Sequence, residues 1–417
     1  MPWQDFLRAL GDRLTWRFAW RNAGRNHRRT AIVVSATAVG VGGMLLAMAI
    51  NFGMIFEMVE AAINTEIGDL QVHGRGYEDK PALEVRITPQ SGGVEKLLAG
   101  MHGVRAWAPR VLGEGLVFSP RTSVGVRVLG VDPDREAKVS VLAGSIVEGA
   151  WLDGNLRRLV IGERLARRLQ VGVGGKLVLS AQALNGDMVG EAFRVRGLFR
   201  TTSRALDEGA VLMRLDESQA LLGLGGDFSE LVLRAQPGAD LALLQKRLRR
   251  RLGGGLEVKT WRQLEPVLVA MIGMYDQIGW IVYAAVFVAM AFGIANVLLM
   301  AVYERIREIG ILTAIGMTPS RLVAGVAVES LLLTLAGVAV GFALGLGSVW
   351  LLRDGIDLSA WGEGLHAFGI PTRIRPVIRS TDLVAPVAVA VVTAVLASLW
   401  PALRAVRIRP AEALRHV

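Results

Sequence analysis

Cysteine is absent from the 417 residues, and lysine is scarce, at 6 against 41 arginines. The first absence excludes disulfides, thiolate zinc sites and a lipid-anchored cysteine in this chain. Histidine is sparse as well: His27, His73, His102, His366 and His416 are scattered without metal-ligand spacing. No Gly-x-Ser-x-Gly elbow occurs. Gly172-Val173-Gly174-Gly175-Lys176 imitates a phosphate loop, but Gln170 stands where the loop needs glycine and Leu177 where it needs a hydroxyl. The basic run Lys246–Arg251 fits one solvated helix face. No catalytic constellation emerges, so the chain is expected to perform no covalent chemistry.

What is abundant is apolar. Hydrophobic residues make up 52% of the chain, and the mean hydropathy is +0.42. A helix needs about 20 apolar residues to cross a bilayer core of about 30 Å. Ala31–Phe56, Gln277–Tyr303, Ser330–Leu352 and Leu383–Leu403 each contain no charged residue and each suffice. Four such runs argue against buried helices of a soluble protein. Ala47-Met48-Ala49 resembles a signal-peptide cleavage site, but the basic and apolar stretches around it are too long, so an uncleaved helix is expected.

The net charge of +10 reads as orientation rather than nucleic-acid binding. Seven arginines, from Arg8 to Arg29, precede the first run, and Arg404, Arg407, Arg409 and Arg415 follow the last. Both ends are therefore expected in the cytoplasm. Against the rule, Arg353, Arg373, Arg375 and Arg379 crowd the loop expected outside. Leu7–Trp20 is expected as an amphipathic helix on the inner membrane face, with a plain positive flank as the alternative.

The expected organisation is a cytoplasmic segment 1–29, a first span 30–57, an extracytoplasmic domain 58–272, a second span 273–303, a cytoplasmic turn 304–321, a third span 322–352, an outer loop 353–382, a fourth span 383–403 and a cytoplasmic tail 404–417. The fold class is thus a four-helix membrane protein with a large α+β domain inserted between helices one and two. In that domain, strands are read at 116–118, 124–131, 176–180, 193–199 and 231–233, and helices at 163–169, 216–222 and 240–252. Ala181–Arg204 is expected to form a mobile hairpin turning at Asn185-Gly186. Helices at 58–67 and 263–277 should run on from the spans and carry the domain as stalks.

Tyr303–Met317 is the most distinctive segment. With "ANVLLMAVYERIREIGILTAIGMTPSRL" around it, "FAWRNAGRNHRRTAIVV" before the first span and "PALRAVRIRPAEALRHV" at the end, the chain resembles the MacB/FtsX-like permease family of ABC transporters. The outer-domain stretches "VIGERLARRLQVGVGGKLVL" and "FRVRGLFRTTSRALDEGAVLM" resemble that family's extracytoplasmic domain, the second its lipoprotein-releasing branch, LolC and LolE. The resemblance implies a dimer with a second copy or a paralogue, two copies of a separate ATPase that bind ATP and Mg²⁺, no cofactor in this chain, contact with membrane lipid, no nucleic acid, and a bacterial inner-membrane location with the large domain periplasmic.

It also implies a coupling role for Glu304, Arg305, Arg307, Glu308, Gly310, Ala314, Gly316 and Met317. Charges there can key into an ATPase groove through charge-assisted hydrogen bonds. The implied function is mechanotransmission: ATP-driven closure moves the turn, the first two helices pivot, and the outer domain opens or closes. Lipoprotein extraction from the outer leaflet, with a periplasmic lipoprotein carrier as a further partner, is one reading. MacB-like export and FtsX-like signalling to a cell-wall hydrolase are the others. Val41, Met44, Met48, Phe52, Met271, Met274 and Tyr275 are the candidates for a substrate groove.

Overall fold

The computed structural model describes residues 4, 8–9, 11–77, 85–88, 94–361, 364 and 372–406. The C-terminal motif beyond residue 406 lies outside them. The chain divides into a helical unit (Met1–Ile55, Ile272–Asp357, Arg373–Val417) and a sheet unit (Phe56–Met271, Leu358–Thr372).

Among the described residues, six helices lie wholly or mainly in the first unit: α1 (Arg13–Arg25), α2 (His27–Ala62), α3 (Pro266–Glu304), α4 (Ile306–Ala314), α5 (Pro319–Leu351) and α6 (Ser380–Val406). Among the described residues, α2, α3, α5 and α6 are long and apolar enough to cross a membrane. Within the helix read at 7–20, residues 8, 9 and 11 are helical, and α1 begins anew after Asp12, whose carboxylate accepts from the Leu14 amide at 3.1 Å. An aspartate at this position starts a helix because it satisfies first-turn donors that otherwise have no partner. The third span, read from 322, starts instead at Pro319, placed after an extended Thr318 where a missing amide hydrogen costs nothing.

Small residues join α2 to α5. A Cβ on Gly42 would come 2.9 Å from the Gly341 carbonyl, and one on Gly341 would come 2.8 Å from that of Ala38. Gly337 meets Thr37, and Gly345 meets Leu45. Where lipid gives no hydrophobic drive between helices, such backbone approach supplies dispersion contact instead. α6 joins through the Ser330 hydroxyl, which donates to the Ala394 carbonyl at 3.2 Å. The crowded loop arginines are partly accounted for as well: Arg379 pairs with Asp382 at 3.3 Å and lies 4.5 Å over the Phe52 ring.

In the sheet unit, ten strands form one sheet: β1 (Leu70–Gly74), β2 (Val104–Phe118), β3 (Ser123–Val131), β4 (Ile146–Gly149), β5 (Arg158–Gly162), β6 (Lys176–Gln182), β7 (Met188–Phe199), β8 (Ala210–Arg214), β9 (Glu230–Ala235) and β10 (Leu256–Thr260). Their order is β10-β1-β9-β2-β3-β8-β5-β7-β4, with β6 pairing β2 and β7. Pairing is mostly antiparallel, but β3 runs parallel to β8 and β5 to β7. Two-residue strands at Ile356–Asp357 and Arg373–Ile374 pair separately.

The expected hairpin is present as β6 and β7, from Lys176↔Arg194 to Gln182↔Met188. Its arms differ from the span 181–204: they begin at 176, and the chain leaves the ladder at 199 to enter a helix at Arg204–Gly209. A core of Leu159, Ile161, Leu165, Leu177, Phe193 and Val211 lies beneath this half of the sheet. A second core, of Leu70, Val72, Leu98, Phe228, Leu231 and Leu248, lies beneath the other half.

Candidate functional site

The charged end of the helical unit is assembled by α1, the end of α3, α4 and the start of α5. The expected turn at 304–321 is a helix between two hinges rather than a turn. α3 stops because Arg305 leaves helical geometry (φ −114°, ψ 16°). Eleven residues later Gly316 adopts φ +102°. The Met317 amide then donates to the Leu312 carbonyl at 3.0 Å, and the Gly316 amide to that of Thr313 at 3.1 Å. This pair of bonds is a Schellman closure, for which a glycine at the left-handed position is the usual residue. Met317 packs back on Val302, Ile309 and Leu322.

Charge holds these elements together. Glu329, on α5, is 5% exposed and faces two arginines. Arg29 of α2, also 5% exposed, makes a direct ion pair with it, and Arg305 approaches at 3.6 Å. Around this centre are looser pairs: Arg25 with Glu308 at 2.7 Å and Arg321 with Asp12 at 3.3 Å. The Arg305 guanidinium also donates to the Asn22 carbonyl at 3.5 Å. A cleft of about 410 Å³ opens between α1 and α4, lined by Phe18, Arg21, Leu298, Leu312, Arg321 and Val326 among others.

The expected coupling residues therefore separate into two groups. Arg305 and Glu308, expected to face an ATPase, are engaged within the chain, because a buried Glu329 draws in a second cation and Arg25 reaches Glu308 from α1. Glu304, Arg307, Ala314 and Gly316 are exposed. Gly310 is buried inside α4, and Met317 is the apolar closure just described.

Two further residues complete the exposed face. Ile311 is 44% exposed and Ile315 79%. With Arg307 they recur every four residues, so they share one side of α4 and its C-cap, Ile315. The spacing of four is present in the sequence, but the charges around Arg307 mask it. Trp16, Phe18 and Trp20 of α1 are exposed too.

The groove candidates do not line one face. Val41 is fully buried with Leu45, Met290 and Val338. Met44 and Met48 are buried against Tyr283. Val41 points inward where Gly341 of α5 approaches, and Met44 and Met48 do so against α3 and α6. Phe52 and Tyr275 are half-buried, and Met274 is exposed. Met271 is half-buried in the sheet unit. Among the described residues no group of side chains is arranged to hold a metal ion.

Comparison with known proteins accounts for both units. Residues 30–251 match the MacB-like periplasmic core domain, and residues 280–410 the FtsX-like permease C-terminal domain. The lipoprotein-releasing system transmembrane protein LolC of Xylella fastidiosa is 25% identical over 74% of this chain and 77% of its own length. LolE of Haemophilus influenzae is 22% identical over 96% of this chain and 98% of its own. A macrolide export ATP-binding/permease protein MacB from Rhodospirillum rubrum is 25% identical over 97% of this chain and 61% of its own length. Permeases of this type work with an ATPase subunit. With a family match over more than half of its length, the chain belongs to the FtsX-like ABC transporter permeases that carry a MacB-like periplasmic core domain.

Proposed function

We propose that this permease transmits the stroke of a separate ATPase through α4 and uses it to extract lipoproteins, or another lipidated substrate, from the outer leaflet of the inner membrane. The observation that carries the coupling step is α4 itself, a nine-residue helix set between two non-helical joints with Arg307, Ile311 and Ile315 along one open side. A rigid rod hinged at both ends moves as a body when pushed. Its inner side bears on the Glu329 cluster, so the push passes to α2 and α5. Two ATPase copies, holding ATP and Mg²⁺, and a dimeric permease with both termini in the cytoplasm complete the arrangement. The lipoprotein reading is supported by LolC and LolE relatives that align over most of their own length. Export in the manner of MacB is the second reading, favoured by a match that covers 97% of this chain.

Interface hot spots each contribute about 2 kcal/mol or more. Replacing Ile311 by aspartate together with Arg307 by glutamate is therefore expected to weaken ATPase binding by roughly thirtyfold or more. Co-purification in mild detergent, quantified by native mass spectrometry, measures this. An undiminished ATPase complex in the double variant would remove α4 as the docking element. In the wild-type preparation, a triacylated lipoprotein supports extraction, a bound macrolide or peptide supports export, and a peptidoglycan hydrolase without lipidated cargo supports signalling.

A further inference from the structure

Helix α2 ends in the sheet unit with an unusual turn. Ile63–Ile67 is π-helical, and Gly68 follows with φ +71°. π-turns concentrate at functional positions because they leave backbone groups for other partners. Here the partners all come from the sheet unit. The Val141 amide donates to the Asn64 carbonyl at 2.9 Å, and Arg234 donates to the Asn64 side chain at 2.6 Å. Gln71 donates to the Ile67 carbonyl at 2.9 Å. Arg127 pairs with the Glu66 carboxylate.

Arg110 takes the Glu66 carbonyl. It lies on β2, is 1% exposed, and is held at its far side by Glu136 in two bonds of 3.0 and 2.6 Å. A cavity of about 590 Å³ adjoins this place, lined by Thr65, Glu66, Arg110, Arg127, Glu230 and Glu265 among others. Side-chain packing is thus missing where α2 meets the sheet, and polar bonds span the gap. A buried ion pair is a poor way to gain stability and a good way to fix one geometry.

We infer that Arg110 is the positioning residue of a joint that locks the π-turn to the sheet, so that displacement of α2 carries the sheet with it, and that Glu230 competes for the same guanidinium. This rests on the mechanotransmission reading. Glu230 is the β9 residue paired in register with Arg110 on one side and His73 on the other. Its Oε1 lies 3.6 Å from Arg110 Nη1, the nitrogen that serves the Glu66 carbonyl.

Burial pushes the Glu230 carboxyl up to about 7; Arg110 and Arg127 pull it down, while Glu66 and Glu136 add to the rise. His73 and Tyr77 beside it stay fixed near neutrality. Burial, then Lys259, holds His73 down at about 4, against Glu257. Burial and Glu230 raise Tyr77, against Arg127. Burial, then Glu66, raises Glu265. Because the folded value lies above the ordinary one, Glu230 adds stability below about pH 4.5 and loses it as the pH rises through about 7. The ionised form then draws Arg110 away from the π-turn.

The test uses the full permease with its ATPase in nanodiscs. The cysteine-free chain accepts unique spin labels at Glu60→Cys and Ser123→Cys. Wild type should give one narrow distance, unchanged by ATP, at pH 6. At pH 8 the distribution should widen about twofold. Glu230→Gln should stay narrow at both values, and Arg110→Lys, which cannot reach both Glu136 and Glu66, should be wide at both. A distribution for Arg110→Lys as narrow as that of wild type overturns the joint, as does a wild-type width that ignores pH. A second label pair, Ser123→Cys with Leu346→Cys, reads the stroke itself. If ATP leaves that distance unchanged in wild type, the mechanotransmission reading fails, and the joint has no motion to carry.

Discussion

Replacing Glu329 by glutamine is expected to be among the most damaging single changes to the helical unit, at about 3–5 kcal/mol. The carboxylate is almost fully buried and answers Arg29 directly and Arg305 at 3.6 Å. Removing it leaves a buried guanidinium uncompensated. The strain is already visible in the native state, where Arg29 Nε and Nη1 have no hydrogen-bond partner among the described residues. Thermal unfolding of the detergent-purified protein measures the loss. The pair Arg29→Met with Glu329→Met should recover much of it, since removing both charges relieves the desolvation that removing one exposes. If glutamine at 329 left the unfolding midpoint within a degree or two of wild type, the carboxylate would not be the centre of this cluster.

The second large effect is steric. Leucine at position 341 places a side chain where a Cβ alone would stand 2.8 Å from the Ala38 carbonyl and 2.9 Å from Val41 Cβ. Backbone cannot yield as a side-chain tip can, so α2 and α5 must separate. We expect a cost of about 3 kcal/mol, the upper end for overpacking because the clash is with backbone, and loss of the folded permease from a size-exclusion profile. Gly347 provides the control. It lies six residues further along the same helix with nothing within 4 Å of its Cβ position, so leucine there should be tolerated. Equal yields for the two variants would show that the helices are not in close backbone contact.

How much of this was legible in the residues varies with the physics behind each element. The apolar helices declare themselves because a bilayer demands length without charge, and 277–303 or 330–352 satisfies that on inspection. β6 and the helices at 163–169 and 241–252 follow from simple periods. β5 and β8 do not, because both are buried on both faces beside parallel neighbours and lack the alternation that betrays a half-exposed strand.

The hinge after α4 is marked by Gly316, Thr318 and Pro319, a stop signal followed by two start signals, but the dense charges ahead of it make the whole segment resemble one turn. The partner of Glu329 was out of reach. Arg29 lies 300 residues away, and no local pattern joins them. The same holds for Arg110, whose importance depends on the carbonyl that faces it.

That separation also sets an order of events during biosynthesis. At roughly 5–20 residues per second, a ribosome needs about 15–60 seconds to travel from Arg29 to Glu329. Throughout that interval the first apolar helix has been made, while the partner for its glycine face and the counter-ion for its arginine have not. The nascent helix must therefore wait with Arg29 at the aqueous boundary and its small-residue face against lipid. It can draw inward only when α5 arrives. An early helix whose seat is completed so late is a natural client for whatever shelters membrane segments during insertion. Pulse-chase protease protection would place the closing of the α2–α5 seam after synthesis of residue 345.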